Sequence, residues 1–289
     1  MAIKTIMAPI SGGETDAAML DVALSVARRF EAHIEVLHVR GDPRDAVPFL
    51  GEGASGALIE QIMSAAQRDA DQRAVRARAA FDQWRQAAGI AVVAQAGSAG
   101  PSVSWREETG PEDEWIGRRG RLNDMTVLAQ PGANGTVTST LAFEAALLDT
   151  GRPVLTAPVT AGAGARIGGT PSVVAWNGSV EAARAIRASI AFLKASPRVV
   201  IMVIAEGSAV ADVQGLIEYL AWHGVKAEAK TSNAKTMAAG GEFLDECERI
   251  GAGLLVMGGY THSRLRQMVF GGVTKHVLAN AKLPVMMAH

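Results

Sequence analysis

The sequence predicts an α/β protein of two tandem domains, each a five-stranded, mainly parallel sheet with helices on both faces. Two observations lead to this prediction. Short apolar runs alternate with amphipathic stretches of helical period along the whole chain of 289 residues. The order of these elements also repeats once, on either side of a stretch of small residues at 160–170.

The first half opens with a short apolar run that ends in the turn Ser11-Gly12-Gly13. A helix is predicted next, because apolar residues between 19 and 30 recur at the spacing of one helical face, and Thr15 or Asp16 is placed to cap it. Residues 40–56 are rich in Gly, Pro and Asp and predict a loop. Further strands are predicted at 33–39, 90–95, 125–130 and 153–158, and further helices at 58–88 and 138–148.

The second half repeats this order after residues 160–170, which show no apolar periodicity and predict a linker. Residues 8–13 align without a gap on residues 174–179. We therefore predict a tandem duplication with domains at 1–159 and 171–289. The strands predicted in the second half are 172–176, 199–205, 225–230, 254–258 and 284–288, and the helices are 181–193, 210–222, 237–250 and 273–280.

The first half is the longer copy. Gly12 and Pro153 are 141 residues apart, whereas Gly178 and Pro284 are 106 apart. The difference falls mostly in the loop after the second strand and in the long helix. A sheet of this kind binds ligands at the carboxyl ends of its strands, where the strand order reverses.

The composition is that of an ordinary soluble protein, with 48% hydrophobic and 20% charged residues. A formal net charge of −1 gives no reason to expect nucleic acid or an anionic membrane as a partner. The single cysteine, Cys247, excludes an intrachain disulfide framework and fits a reducing compartment. With no apolar leader at the amino terminus and no apolar run of about 18 residues, a cytoplasmic location is expected.

Two glycine pairs mark the last loop of the second half. Gly258-Gly259 follows an apolar run, Gly271-Gly272 precedes a helix, and Arg264 lies between the pairs. One interpretation is a cradle for phosphate, with glycine allowing close backbone approach and the helix start favouring an anion. The other is a tight bend whose arginines are solvated. The residues alone do not separate the two.

This region resembles the universal stress protein family, which has a loop G-x2-G-x9-G-[ST] here and an acidic-Gly-Ser end to its first strand. Trp176–Ser179, Gly258, Gly271 and the closing LPVMM match that pattern, and as two copies the resemblance covers nearly the whole chain. It implies a Rossmann-like fold of the adenine nucleotide alpha hydrolase type. It also implies ATP as ligand, perhaps with Mg²⁺, held by Asn177, Gly178, Gly258, Gly259, Arg264, Gly271, Gly272 and Val273.

This chain departs from the family pattern at several positions. Thr261 stands at the second loop glycine, Gly272 at the Ser/Thr, and Asn177 at the acidic residue. In the first half, Gln130 falls at the first loop glycine and Ser11 at the acidic residue, so no nucleotide is expected there. The segment 9–18 also resembles the phosphate loop of N-type ATP pyrophosphatases, but a Gly-Gly turn before a capped helix is the favoured interpretation.

The charged segment 105–121 is predicted to be a solvated crossover whose tryptophans pack on the sheet, with a lid or partner-binding patch as the alternative. The histidines do not cluster, and no catalytic or metal-ligating constellation is expected. The resemblance implies a stress-response protein that binds a nucleotide, and no catalytic turnover is expected. The alternatives are a nucleotide-free interaction module or an adenylating or ATP-hydrolysing enzyme. Pairing of the two halves, or a homodimer, is expected from the apolar sheet edges.

Overall fold

A computed structural model describes most of the chain and identifies its helices and strands. The residues described are 3–46, 56–93, 97, 100–131, 140–158, 162, 167–204, 211–232, 239–259 and 272–289. Of the predicted site residues, Arg264 and Gly271 lie outside these ranges, as does Thr261.

In the described part of the first half, strands and helices alternate along the chain. The helical segment at 140–149 starts as an α-helix and ends as one π-helical turn, Ala145–Asp149. The strands are β1 (Thr5–Pro9), β2 (His33–Arg40), β3 (Ala91–Val92), β4 (Ser102–Thr109), β5 (Met125–Ala129) and β6 (Val154–Ala157), and the helices are α1 (Asp16–Phe30), α2 (Gly56–Ala88), α3 (Glu112–Gly120) and α4 (Thr140–Glu144).

The described part of the second half has the same alternation without the long insertion. Its predicted helices and strands are present with ends that differ by a few residues. The strands are β7 (Ser172–Trp176), β8 (Val199–Ile204), β9 (Ala227–Ser232), β10 (Leu254–Gly258) and β11 (Val285–Ala288), and the helices are α5 (Val180–Leu193), α6 (Val213–Trp222), α7 (Ala239–Ile250) and α8 (Gly272–Asn280).

The described strands form one continuous sheet in the order β3-β4-β2-β1-β5-β6-β11-β10-β7-β8-β9. Pairing is parallel within each half, as β-α-β crossovers require. The halves meet where β6 pairs antiparallel with β11, with Thr156 opposite Val285 and Val154 opposite Met287. The predicted α/β class, with a mainly parallel sheet in each half, is confirmed.

Apolar side chains fill both faces of the sheet. One face carries α1, α2, α5 and α6, with Phe81 and Phe192 fully buried in its core. The other carries α3, α4, α7 and α8, with Phe143 and Phe243 buried. Helices on both sides are the reason that the central strands read as continuous apolar runs and not as alternating ones.

The first half differs from its prediction at the third strand position. The expected strand at 90–95 is reduced to the two residues of β3 at the sheet edge, and β4 takes the place beside β2 along all eight of its residues. The prediction that 105–121 is a charged crossover is wrong, since it contains the end of β4 and the whole of α3. Charged residues interrupt the apolar run of β4, so the apolar pattern did not predict this strand.

The charges of β4 are paired with charges on neighbouring elements. Glu35 on β2 accepts hydrogen bonds from Arg106 Nε at 3.2 Å and from Arg119 Nε on α3 at 3.0 Å. These arginines hold the pKa of the Glu35 carboxyl below its usual value, against the opposing effect of burial. Trp105 packs as predicted, against the rings of His38 and Phe81.

Candidate functional site

The candidate site lies at the carboxyl edge of the second half, between β7 and β10. The chain runs from β7 to β8 on one side and returns through α7 to β10 on the other, so the strand order reverses here. Val174 lies opposite Val256, which brings the ends of β7 and β10 level at Trp176 and Gly258. A reversal of this kind leaves a crevice above the sheet, where α/β proteins bind ligands.

The end of β7 forms a tight turn into α5. Gly178 has a φ of +77°, a conformation that a residue with a side chain adopts only under strain. Asn177 Oδ1 accepts a hydrogen bond from the Ser179 amide at 3.1 Å, and Ser179 Oγ accepts one from the Ala182 amide at the same distance. Ser179 is therefore the N-cap of α5. The Asn177 side chain stabilises the turn itself.

Gly258 ends β10 against the first turn of α5. A Cβ at this position would lie 2.6 Å from the Ala182 backbone nitrogen and 3.0 Å from the Glu181 carbonyl carbon. The φ of Gly258 is not in the left-handed region. Close approach of the protein's own helix therefore accounts for a glycine at this position.

Gly259 is in contact with atoms from both halves of the chain. Its amide donates to the Ala288 carbonyl at 2.9 Å, and its carbonyl oxygen is 3.2 Å from His289 Nδ1. A Cβ here would lie 2.8 Å from Leu147 Cδ2 and 3.3 Å from Met287 Cε. The Gly259 amide is thus engaged within the protein, so it is not among the donors that can point at an anion.

Helix α8 begins at the same carboxyl edge, since it connects β10 to β11. Gly272, its first residue, is exposed, and a Cβ there would meet nothing within 4 Å. The first amides of a helix have no partner within the helix and carry the positive end of its dipole. The topology therefore puts Asn177, Gly178, Gly258 and Gly259, at the strand ends, on the same edge of the sheet as Gly272 and Val273, at the start of α8.

In the first half, the equivalent turn is filled by the protein's own carboxylate. Gly12 has a φ of +81°, matching Gly178. Asp16 accepts hydrogen bonds from the amides of Gly12 at 2.7 Å and Gly13 at 3.0 Å, with the Ser11 amide at 3.5 Å. Burial raises the pKa of the Asp16 carboxyl, and these backbone bonds oppose that rise. Thr15 or Asp16 was expected to cap α1: Thr15 occupies the N-cap position without a side-chain hydrogen bond, and Asp16 reaches back to the turn.

Helix α2 covers this filled turn. A Cβ on Gly12 would lie 2.9 Å from the Arg73 carbonyl oxygen and 3.0 Å from the Ala77 nitrogen, both in α2. Sequence reasoning missed this arrangement because it depends on how the long helix packs. The Asp16 contact itself has a local signal, an acidic residue three positions after a Gly-Gly turn.

The two halves also correspond at the ends of β5 and β10, one residue away from the predicted match. Ala129 lies opposite Ala157 as Gly258 lies opposite Ala288. Gln130 donates its amide to the Ala157 carbonyl at 2.9 Å, as Gly259 does to Ala288. Ala129 is therefore the structural counterpart of Gly258, and Gln130 is the counterpart of Gly259.

Cys247 lies on the buried face of α7 and is only 3% exposed. Burial raises the pKa of its thiol to about 12, so the thiolate form is absent at neutral pH. Among the described residues, no group of three or more His, Cys, Asp or Glu side chains is arranged to hold a metal ion. None of the described helices has the length and apolar character of a bilayer-crossing segment.

Comparison with known proteins identifies the family of the second half. Residues 172–289 match the model of the universal stress protein family. A universal stress protein from Archaeoglobus fulgidus has a similar fold over 98% of this chain and 95% of its own, at 16% identity and a TM-score of 0.65. No curated protein matches the sequence.

A second solved structure covers both halves as well. A protein of Pseudomonas aeruginosa, proposed to be a universal stress protein, aligns with 99% of this chain and 92% of its own, at 14% identity and a TM-score of 0.55. At such identities the two structures establish the fold, and the family match in the second half carries the assignment. The second half is therefore a universal stress protein domain, and the whole chain has the tandem, UspA-like fold that the sequence predicted.

Proposed function

We propose that this chain is a stress-response protein of binding type that holds ATP or a related adenine nucleotide, with Mg²⁺, at the carboxyl edge between β7 and β10. The observation that supports the proposal is that Asn177, the left-handed Gly178 and the start of α8 all belong to the carboxyl edge at which the strand order reverses. Backbone amides at such a place favour a phosphate group.

The residues divide into two groups in this proposal. Gly272 and Val273 contribute the first amides of α8, which have no partner within the helix, with Gly271 and Arg264 as further predicted contacts from the preceding loop. Asn177 and Gly178 face the nucleoside. The contacts of Gly258 and Gly259 are to the protein itself, so in this proposal the two residues shape the floor of the site and do not bind the ligand. We place this activity in the cytoplasm, where the lone Cys247 stays reduced.

Titration calorimetry of the full chain with Mg-ATP tests the proposal. Gly272→Asp adds a negative charge where the phosphates would lie, and Gly272→Asn adds a side chain of the same shape without charge. Asp in the first turn favours the helix, so this variant folds at least as well. We expect Gly272→Asp to weaken Mg-ATP binding by about tenfold or more and Gly272→Asn by much less, because charge repulsion across a few ångströms costs several kcal/mol.

A nucleotide-free interaction module of the same fold is the second candidate. The observation in its favour is that both glycines at the end of β10 are explained by packing, and that the Gly259 amide is already bonded to Ala288. Absence of a calorimetric signal with Mg-ATP in the wild type supports this candidate. Release of phosphate or AMP over hours instead indicates an ATP-hydrolysing or adenylating enzyme.

A further inference from the structure

Leu147, in the first half, reaches the start of the candidate site in the second half. It lies in the π-helical turn Ala145–Asp149 and is only 2% exposed. Its Cδ2 atom lies 2.8 Å from the place that a Cβ on Gly259 would take, and its Cδ1 atom lies 3.5 Å from it. The side chain therefore covers the Gly259 backbone directly.

The side chain of Leu147 points from the π-helical turn into the protein interior. Its neighbour Leu148 is 40% exposed, so two leucines adjacent in sequence have opposite environments. The Thr150 hydroxyl donates to the Ala146 carbonyl at 2.6 Å and closes the end of this turn. A π-helical turn inserts one residue into a helix and so rotates the side chains that follow it, and such turns are frequent at functional sites.

The rest of the Gly259 environment comes from the last strand. The Ala288 carbonyl accepts its amide, Met287 packs beside Leu147, and His289 Nδ1 lies 3.2 Å from its carbonyl oxygen. The antiparallel pairing of β6 with β11 holds this strand against the first half. Gly259 is thus held by the second half through hydrogen bonds and by the first half through one apolar side chain.

We propose that Leu147 is a positioning residue of the second-half site, and that the first half, whose own turn is filled by Asp16, serves to fix Gly259. The expected effect of Leu147 on nucleotide binding rests on the proposed function. Its effect on the position of Gly259 does not. Close packing transmits a displacement of one side chain to the backbone it touches. Loss of the Leu147 side chain frees Gly259 to move and so loosens the carboxyl end of β10, at the edge of the proposed site.

The first test compares Mg-ATP binding by the full chain in the wild type and four variants. We expect Leu147→Ala to weaken binding by about tenfold, within the range found for coupling through packed side chains. Leu147→Met keeps the volume and restores binding to within about twofold. Leu148→Ala is the matched control from the same turn, and Leu20→Ala, in the core on the opposite sheet face, controls for general loss of stability. Equal affinities of the Leu147→Ala and Leu20→Ala variants overturn the proposal.

The second test needs no nucleotide. Hydrogen exchange of the Gly259 amide is measured in the wild type and in the Leu147→Ala and Leu20→Ala variants, under conditions in which the three proteins have the same free energy of unfolding. We expect faster exchange in Leu147→Ala alone. If the wild type takes up no Mg-ATP, the proposed function fails and this measurement alone decides the inference: equal exchange in both variants overturns it.

A double-mutant cycle checks the contact itself. Gly259→Ala places a methyl group against Leu147, and we expect it to lower the melting temperature by about 4 °C. In the Leu147→Ala background the space is open, and the same change is expected to lower it by about 1 °C. Equal decreases in both backgrounds show that the two residues are not coupled and contradict the proposed role of Leu147.

Discussion

Replacement of Gly258 by alanine should destabilise the protein although it adds only one methyl group. The new Cβ would lie 2.6 Å from the Ala182 nitrogen, whereas ordinary contact begins near 3.4 Å. The atoms it meets are backbone atoms of α5, which cannot rotate away, so strand and helix must separate by about 0.8 Å. Overpacking of this kind costs about 1–3 kcal/mol.

The free energy of unfolding, measured by urea denaturation with the slope of the transition checked for constancy, reports this cost. At about 2–4 °C per kcal/mol, the melting temperature should fall by roughly 2–12 °C. Gly272→Ala is the control, because its surroundings are open and its φ is not left-handed. It should stabilise α8 by about 0.5–1 kcal/mol. Equal stability of the Gly258→Ala variant and the wild type would show that α5 does not pack against this residue as closely as the structure indicates.

Three further changes have definite expected results. Glu246 is buried between Arg249 and Lys230, whose hydrogen bonds lower the pKa of its carboxyl from 4.5 to about 2. The contribution of Glu246 to stability is present above pH 4.5 and is lost as the pH falls towards 2. Glu246→Gln should therefore lower the free energy of unfolding by on the order of 2 kcal/mol at pH 6, a value discounted because the partners are half-exposed. In acid-unfolding titrations the same change should cost much less near pH 2. Asp16→Ala leaves the amides of the first-half turn without their acceptor and should cost about 1–3 kcal/mol by urea denaturation, whereas Asp16→Asn, which keeps an acceptor oxygen, should cost less. Ser179→Ala removes the N-cap of α5 and should cost about 1 kcal/mol, and an unchanged unfolding midpoint would contradict that role.

The apolar pattern predicted most helices and strands, because each central strand is buried on both faces and each helix on one. It failed at β4, where Arg106 and its neighbours break the apolar run. Arg106 pairs with Glu35 on the adjacent strand β2, and Glu35 also pairs with Arg119 on α3, so the partners lie far away along the chain. A strand stabilised by such pairs has no periodic signature that a local window can detect.

The candidate site was predicted in part. The left-handed Gly178 and the start of α8 follow from local rules on turns and helix ends, and the structure places both at the predicted edge. The role expected for Gly258 and Gly259 was close approach to a ligand, but the atoms that approach them belong to α5 and to Leu147. A glycine in the sequence indicates that some atom comes close to the backbone at that position, but it does not identify the atom.

Local composition was enough for the α/β class, the duplication and the turn at Gly178, since each depends on neighbours within a few residues or on a repeated order of elements. The packing of α2 over the first-half turn, the antiparallel junction of β6 with β11, and the contact of Leu147 with Gly259 arise from residues more than sixty positions apart or from packing between whole elements. These depend on how sheets and helices are stacked in space, a geometry that the periodicity of the chain does not encode.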